Sequence, residues 1–299
     1  MVIRAKILGY CMGVRRAVDA ATNAKKKYPD NDVYTLGPLI HNKTAIQMLK
    51  NNGIEILDNK FMPVLENSKK ESVVVIRAHG TSNAIKKQIQ DAGSIIVDAT
   101  CPRVLANQKR ITDYSKKGYT VFIAGDKSHG EVEALEGSVF GNVECYVLQN
   151  QDEATALMQS QDFLGIDSIL ISQTTITNAE YNAVKSVLEK AIPNITVFDT
   201  ICPATLERQV SLRDLCTTVD GIIVIGGKNS ANTNRLYQIA KEEIANSGVS
   251  KPVVHIETAS EIPEEFYKLK KIGLTAGAST PDEVIVAVEN ALHPGGCCE

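Results

Sequence analysis

What most constrains the fold of this chain is an alternation that runs almost unbroken from end to end. Short runs rich in Val and Ile give way to amphipathic helical stretches, then return. The runs are "VYTLG", "IEIL", "SVVVIRA" and "SIIVDAT", then "TVFIAG", "ECYVL", "SILISQT" and "ITVFDT", and last "GIIVIGG", "PVVHIET" and "KIGLTAG". Strands that alternate with helices in this way form parallel sheets, so the fold class is α/β. The count falls into four, four and three, and the natural twelfth strand is "AKILGY" at the start of the chain. The pattern predicts three similar lobes, over 12–101, 102–202 and 203–299, with residues 1–11 completing the third sheet. Lobes this small bury little apolar surface alone, so they are expected to pack on one another or around a shared centre.

Three cysteines punctuate the pattern at matching places. Cys101 follows "IIVDAT", Cys202 follows "ITVFDTI", and Cys11 closes "AKILGY". Pro102 and Pro203 fix the backbone just beyond two of them. Free cysteines usually serve as small buried hydrophobes, and Cys145, inside a strand-like run, and Cys216, inside a helical one, are read that way. The strand-end trio is different, because its members repeat one per lobe where side chains meet a cleft. No C-x-x-C occurs among the seven cysteines, which leaves zinc ribbons and thioredoxin-type motifs unsupported. Cys297 and Cys298 lie in a terminal segment and are assigned no role.

Parallel sheets hold their ligands beyond the carboxyl ends of the strands. The loops there offer His41 and Asn42, then His79, Thr81 and Ser82, then His129 and Glu131. They continue with Thr174 and Thr175, then Asn229, Ser230 and Asn232, and finally Ser279 and Thr280. Each loop opens a helix, whose first N–H groups and positive dipole end suit an anion, phosphate most often. Neither a Walker pattern nor a G-x-G-x-x-G is present, which argues against nucleotide and dinucleotide cofactors. Glu131 is the one carboxylate in these loops placed to donate a proton. Asp98 and Asp199, close to the cysteines, read as turn caps. His255, in a strand, and His293, near the end, read as structural.

Bulk properties exclude several classes. A net charge of -3 and a pI near 6.0 give no basic surface for nucleic acid or anionic lipid. No apolar run approaches the roughly 20 residues of a membrane span, and the N-terminus lacks a signal-peptide apolar region. A cytoplasmic protein is expected.

Three thiolates can hold zinc with one open position, or a four-iron cluster with one iron lacking a protein ligand. Beside an anion cradle, such a centre points to a phosphorylated alcohol as substrate. A hydro-lyase and a non-enzymatic iron–sulfur sensor share these features.

The motifs "GYCMGVRRAVDAA", "LGPLIHN", "IRAHG", "DATCPRV", "DKSHGEVEA", "SQTT", "ICPAT", "GGKNSANTNRL" and "LTAGASTPD", in this order over residues 1–290, resemble the 4-hydroxy-3-methylbut-2-enyl diphosphate reductases of the non-mevalonate isoprenoid pathway. The resemblance implies a pseudo-threefold trefoil of α/β lobes around a [4Fe-4S] cluster held by Cys11, Cys101 and Cys202. It implies that His41, His79, His129, Thr174, Ser230, Ala231, Asn232 and Ser279 line the substrate cavity. Glu131 would be the proton source, helped by Thr174 and His129, and reduced ferredoxin or flavodoxin would supply electrons. One departure is visible: the family often reads NSSN where this chain reads "NSAN", so any contact from Ala231 must come from its backbone N–H.

Overall fold

The computed structural model describes residues 1–39, 42–58, 61–68 and 70–293. Its strands form three four-stranded sheets, and each sheet is wound the same way. The first contains β2 (Val33–Leu36), β3 (Ile54–Leu57), β4 (Val73–Ile76) and β5 (Ile95–Asp98) in the order β3-β2-β4-β5. The second contains β6 (Thr120–Ala124), β7 (Cys145–Leu148), β8 (Ser168–Ser172) and β9 (Thr196–Val197) in the order β7-β6-β8-β9. The third contains β10 (Gly221–Ile225), β11 (Val253–Ile256) and β12 (Ile272–Ala276), with β1 (Val2–Arg4) as its fourth strand beyond β12. Written by rank within each sheet, the order is second, first, third, fourth in all three. The ladders β2–β4, β4–β5, β6–β7, β6–β8, β8–β9, β10–β11, β10–β12 and β1–β12 are parallel.

Residue type explains which strands lie inside. Of the interior strands, β4, β6, β8, β10 and β12 are buried at every position, as strands covered on both faces of a parallel sheet should be, while β2 is buried at alternate positions. The side chains of β10 alternate between the two faces. Ile222 and Val224 pack with Leu212, Leu236 and Ala240, while Ile223 and Ile225 pack with Leu274, Phe266, Ile285 and Val288.

The chain divides into two compact units. One comprises Met1–Val18, Pro38–Glu55 and Pro203–Glu299 and holds the third sheet. The other comprises Asp19–Gly37 and Ile56–Cys202. Within the second unit, the core of the sheet around β6 joins Val121, Ile123, Ile169 and Ile171 to Ile111, Val132 and Leu135. No helix among the described residues is long and apolar enough to cross a membrane.

One expectation needs correction. The N-terminal strand is "VIR", residues 2–4, paired with Ile272, Gly273 and Leu274; "AKILGY" is not a strand. Ala5 N–H makes the last contact with the sheet, donating to Leu274 O at 2.8 Å. Beyond it, Ile7 N–H turns to the hydroxyl of Ser211 and Gly9 adopts a φ of 74°, which no ladder accommodates. The apolar residues of that run mark packing against a helix, and their pattern alone cannot separate the two cases.

Gly277, just past β12, exists to clear Thr233: a Cβ there would lie 2.0 Å from the Thr233 hydroxyl. Gly277→Ala is therefore expected to cost about 1–3 kcal/mol of stability by overpacking. Adding Thr233→Ala, which removes that hydroxyl, should recover most of the loss in thermal unfolding. Additive losses in the double variant would show that the crowding is not the cause.

Candidate active site

The common winding dictates where a ligand can sit. In a parallel sheet, the crevice opens past the carboxyl ends of the strands at which the chain order reverses, here the first and third strands of each sheet. The candidate residues follow just these strands. His79 comes after β4, His129 and Glu131 after β6, Thr174 after β8, Ser230 and Asn232 after β10, and Ser279 after β12. His41, after β2, lies outside the described residues, as do Cys297 and Cys298.

The cysteines lie beyond the fourth strands, and a single backbone interaction is repeated at each. Cys101 N–H donates to Ala78 O at 3.0 Å, Cys202 N–H to Thr174 O at 2.9 Å, and Cys11 N–H to Ala278 O at 3.3 Å. Every acceptor lies in the loop that follows the neighbouring third strand. Thus each cysteine is pinned to the loop that carries His79, Thr174 or Ser279. All three are half-buried thiols outside any disulfide. Asp98 braces one turn by accepting from both the N–H and the hydroxyl of Thr100. Asp199 accepts from Ile201 N–H at the corresponding place. Both acids therefore serve as turn caps. Burial pushes the thiols of Cys145 and Cys216 up to about 12 and about 11, so they stay protonated and are poor metal ligands. Among the described residues, no three His, Cys, Asp or Glu form a site for a single metal ion.

Glu131 and Thr174 are joined by a pair of buried hydrogen bonds. Thr174 N–H donates to one carboxylate oxygen at 2.7 Å and its hydroxyl to the other at 2.8 Å. Glu131 is 1% exposed. Burial pushes its carboxyl up to about 7, against the opposing pull of the two Thr174 hydrogen bonds. An acid poised there can hold or release a proton near neutrality. Thr174 carries a third duty, because its carbonyl is the acceptor for Cys202.

His129 caps the helix Gly130–Glu136, its Nδ1 accepting from Glu131 N–H at 3.2 Å. A nitrogen that accepts carries no proton, so neutral His129 is protonated at Nε2. Its ring meets His79 edge-on, with centroids 4.9 Å apart. In the other unit, Ser230 caps the helix Ala231–Asn246 by accepting from Thr233 N–H, and Ser279 Oγ donates to it at 3.3 Å. The Nδ2 of Asn232 is buried without a hydrogen-bond partner, a donor that a ligand acceptor could satisfy. Several polar residues are spent as caps instead: Asn42 accepts from Ala45 N–H and Ser82 from Ile85 N–H.

Two positioning residues escaped the sequence reading. Gln173 is fully buried; its carbonyl accepts from Asp126 N–H and its amide donates to Thr175. It fixes the loop of Glu131 against that of Thr174. Gln108 donates to both Thr81 O and Ala134 O. A polar residue directly after a fully buried strand was the available signal for Gln173; nothing in the sequence marks Gln108.

Fold and site together define a parallel α/β protein with cysteine-bearing strand ends and a buried acid beside an imidazole pair. The LytB protein family profile matches residues 2–293, and this chain belongs to that family. A 4-hydroxy-3-methylbut-2-enyl diphosphate reductase of Treponema denticola is 45% identical over 99% of this chain and 100% of its own length. A solved structure of (E)-4-hydroxy-3-methyl-but-2-enyl diphosphate reductase, the terminal enzyme of the non-mevalonate pathway, is 34% identical with a TM-score of 0.72, covering 98% of both chains. The Plasmodium falciparum E-1-hydroxy-2-methyl-but-2-enyl-4-diphosphate reductase shares the fold with a TM-score of 0.85 at 24% identity, covering 99% of this chain and 88% of that one.

Thr174→Val removes the hydroxyl that favours ionised Glu131, so the carboxyl should titrate above about 7. Isotope-edited infrared spectroscopy of the carboxyl stretch across pH reads this directly. A midpoint that stays put or falls would contradict the assignment of that hydrogen bond.

Proposed function

We propose that this chain reduces (E)-4-hydroxy-3-methylbut-2-enyl diphosphate to isopentenyl diphosphate and dimethylallyl diphosphate, the closing step of the non-mevalonate isoprenoid pathway. The observation that carries the reading is Thr174. Its N–H and hydroxyl hold the buried acid Glu131 while its carbonyl holds Cys202, so proton source and cysteine share one scaffold residue. The full-length relative from Treponema denticola supports the same substrate. Nothing favours the hydro-lyase, since the relatives are named reductases.

The donor set fits a [4Fe-4S] cluster. Three half-buried thiols outside any disulfide follow the topologically equivalent fourth strands, each backbone-pinned, and Cys11, Cys101 and Cys202 would hold the cluster. When bound, it supplies electrons singly and an iron that polarises the substrate hydroxyl. The overall conversion takes two electrons and two protons and releases water. Reduced ferredoxin or flavodoxin is the electron source we favour, in the cytoplasm, with each sheet and its helices forming one lobe of a trefoil.

What the protein itself contributes is binding and proton management. Neutral His129 presents a donor at Nε2, and His79 stands against it, so the pair suits diphosphate oxygens. Ser230, Asn232 and Ser279 offer uncharged donors to the same group, and Ala231 can offer only its backbone N–H, as can any first-turn residue of a helix. His41 belongs with them on sequence grounds. Glu131 keeps its proton at the carboxyl until the substrate oxygen or allylic carbon takes it, with the Thr174 hydroxyl as relay. Burial keeps water from competing for that proton.

Two outcomes test this. Anaerobically prepared protein should contain iron and sulfide and reduce the substrate with an artificial one-electron donor, whereas colourless protein without iron would overturn the cluster assignment. Glu131→Gln should retain the iron yet lose about 100-fold or more in turnover, as expected for a lost proton donor. The donor form of Glu131 declines as pH rises past about 7, so wild-type single-turnover rates should fall with pH by up to about tenfold per unit, and the Gln variant's residual rate should not follow.

A further inference from the structure

Arg77 lies between β4 and His79, and nothing read from the sequence gave it a task. The structure singles it out. Its guanidinium threads between two glycines from different strand-end loops of the same unit. A Cβ on Gly130 would lie 2.3 Å from one terminal nitrogen, and a Cβ on Gly37 3.0 Å from the other. Gly130 joins His129 to Glu131, so the cation sits against the backbone of the acid and the imidazole. Gly37 takes a φ of 71°, a left-handed conformation suited to glycine. Two loops have thus been kept bare of side chains where the guanidinium passes.

No hydrogen bond or ion pair joins that guanidinium to any described residue. Glu133, one turn into the helix Gly130–Glu136, is the nearest carboxylate that acts on it, beyond ion-pair distance and exposed. Arg77 itself is half-buried, and burial holds its guanidinium below the usual arginine range while leaving it charged. A half-buried cation with a planar fork of donors and none of them engaged is set up for a planar or tetrahedral anion. His79, two residues on in the chain, and His129, the residue before Gly130, are those assigned above to the substrate's diphosphate.

We propose that Arg77 is a further substrate-binding residue, the charged member of the diphosphate site, reaching between Gly37 and Gly130 to take an oxygen that the imidazoles leave exposed. This rests on the reading of His79 and His129 as diphosphate contacts, and it alters the character of the site. A pocket built from neutral donors gains one fixed positive charge, whose contribution belongs to binding and not to the chemical step.

The test compares anaerobic holoenzyme with Arg77→Gln, measuring KM and kcat for 4-hydroxy-3-methylbut-2-enyl diphosphate and calorimetric binding of inorganic diphosphate. Loss of one charge-assisted contact should raise KM and the diphosphate Kd by about tenfold or more, with kcat within about threefold of wild type and the cluster's EPR signal unchanged. KM and Kd within about twofold of wild type would overturn the proposal. Glu133→Gln serves as the control: unchanged binding is expected, and a loss equal to that of Arg77→Gln would overturn the proposal by making Arg77 a partner of the helix. Should Arg77→Gln not fold, Arg77→Lys keeps the stem and charge without the fork. A several-fold rise in KM then supports the proposal and an unchanged KM defeats it. If wild-type protein fails to reduce the substrate, the functional reading falls alone, and the comparison with inorganic diphosphate still decides the role of Arg77.

Discussion

A cysteine N–H bonded to the carbonyl of the adjacent strand-end loop is the interaction on which the rest of this structure turns. It occurs three times, from Cys101 to Ala78, Cys202 to Thr174 and Cys11 to Ala278. Each bond ties the segment that follows a fourth strand to the loop after the third, beyond the end of the parallel ladder. Without it a strand-end thiol would ride on a loose turn, because Pro102 and Pro203 restrain only the backbone on the far side of the cysteine. With it, the distance between each sulfur's backbone and its neighbouring polar loop is set by sheet geometry. A site that must hold thiol and substrate groups in fixed relation needs that kind of rigidity.

Burial of Glu131 shows what such rigidity costs. A carboxyl at 1% exposure ionises reluctantly, and its value of about 7 in the folded chain compares with about 4.5 when exposed. As pH rises, the unfolded chain ionises first. The stability drawn from the neutral carboxyl is therefore complete below about 4.5 and is lost by about 7. The fold tolerates this because both oxygens are hydrogen-bonded to Thr174. The same two bonds keep the acid from drifting far above neutrality, where it would hold its proton too tightly to give it up. Stability and the acid's readiness to ionise are set by one pair of contacts.

Much of this was legible in the sequence, and the reason is specific. Parallel strands buried on both faces announce themselves as unbroken apolar runs, and a parallel sheet sends its functional loops to one edge. So "VVVI" before His79 and "TVFIA" before His129 located the strands and, beyond their ends, the candidate site. Where the signal failed, the deciding partner was distant. The N-terminal strand is "VIR" and not "AKILGY" because its register is fixed against Ile272–Leu274 and because Ser211 claims Ile7 N–H. Neither fact can be seen in a window of ten residues. Arg77 is a similar case, since its significance depends on Gly37 and Gly130, each far from it along the chain.

The three sheets share a winding yet not a chemistry, and the backbone clamp explains how both can hold. It uses only N–H and C=O groups, so it constrains no side chain beyond the cysteine's own. The residue after each clamped carbonyl, or the clamped residue itself, is then open to vary: His79 in one sheet, Thr174 in the next, Ser279 in the third. Imidazoles and the buried acid gather in one compact unit, hydroxyls and an amide in the other. Ala231 illustrates how far the variation can go. It occupies the first position of its helix, where the N–H has no partner within the helix and remains a donor whatever the side chain. Losing a hydroxyl there removes one donor of two and leaves the backbone donor in place.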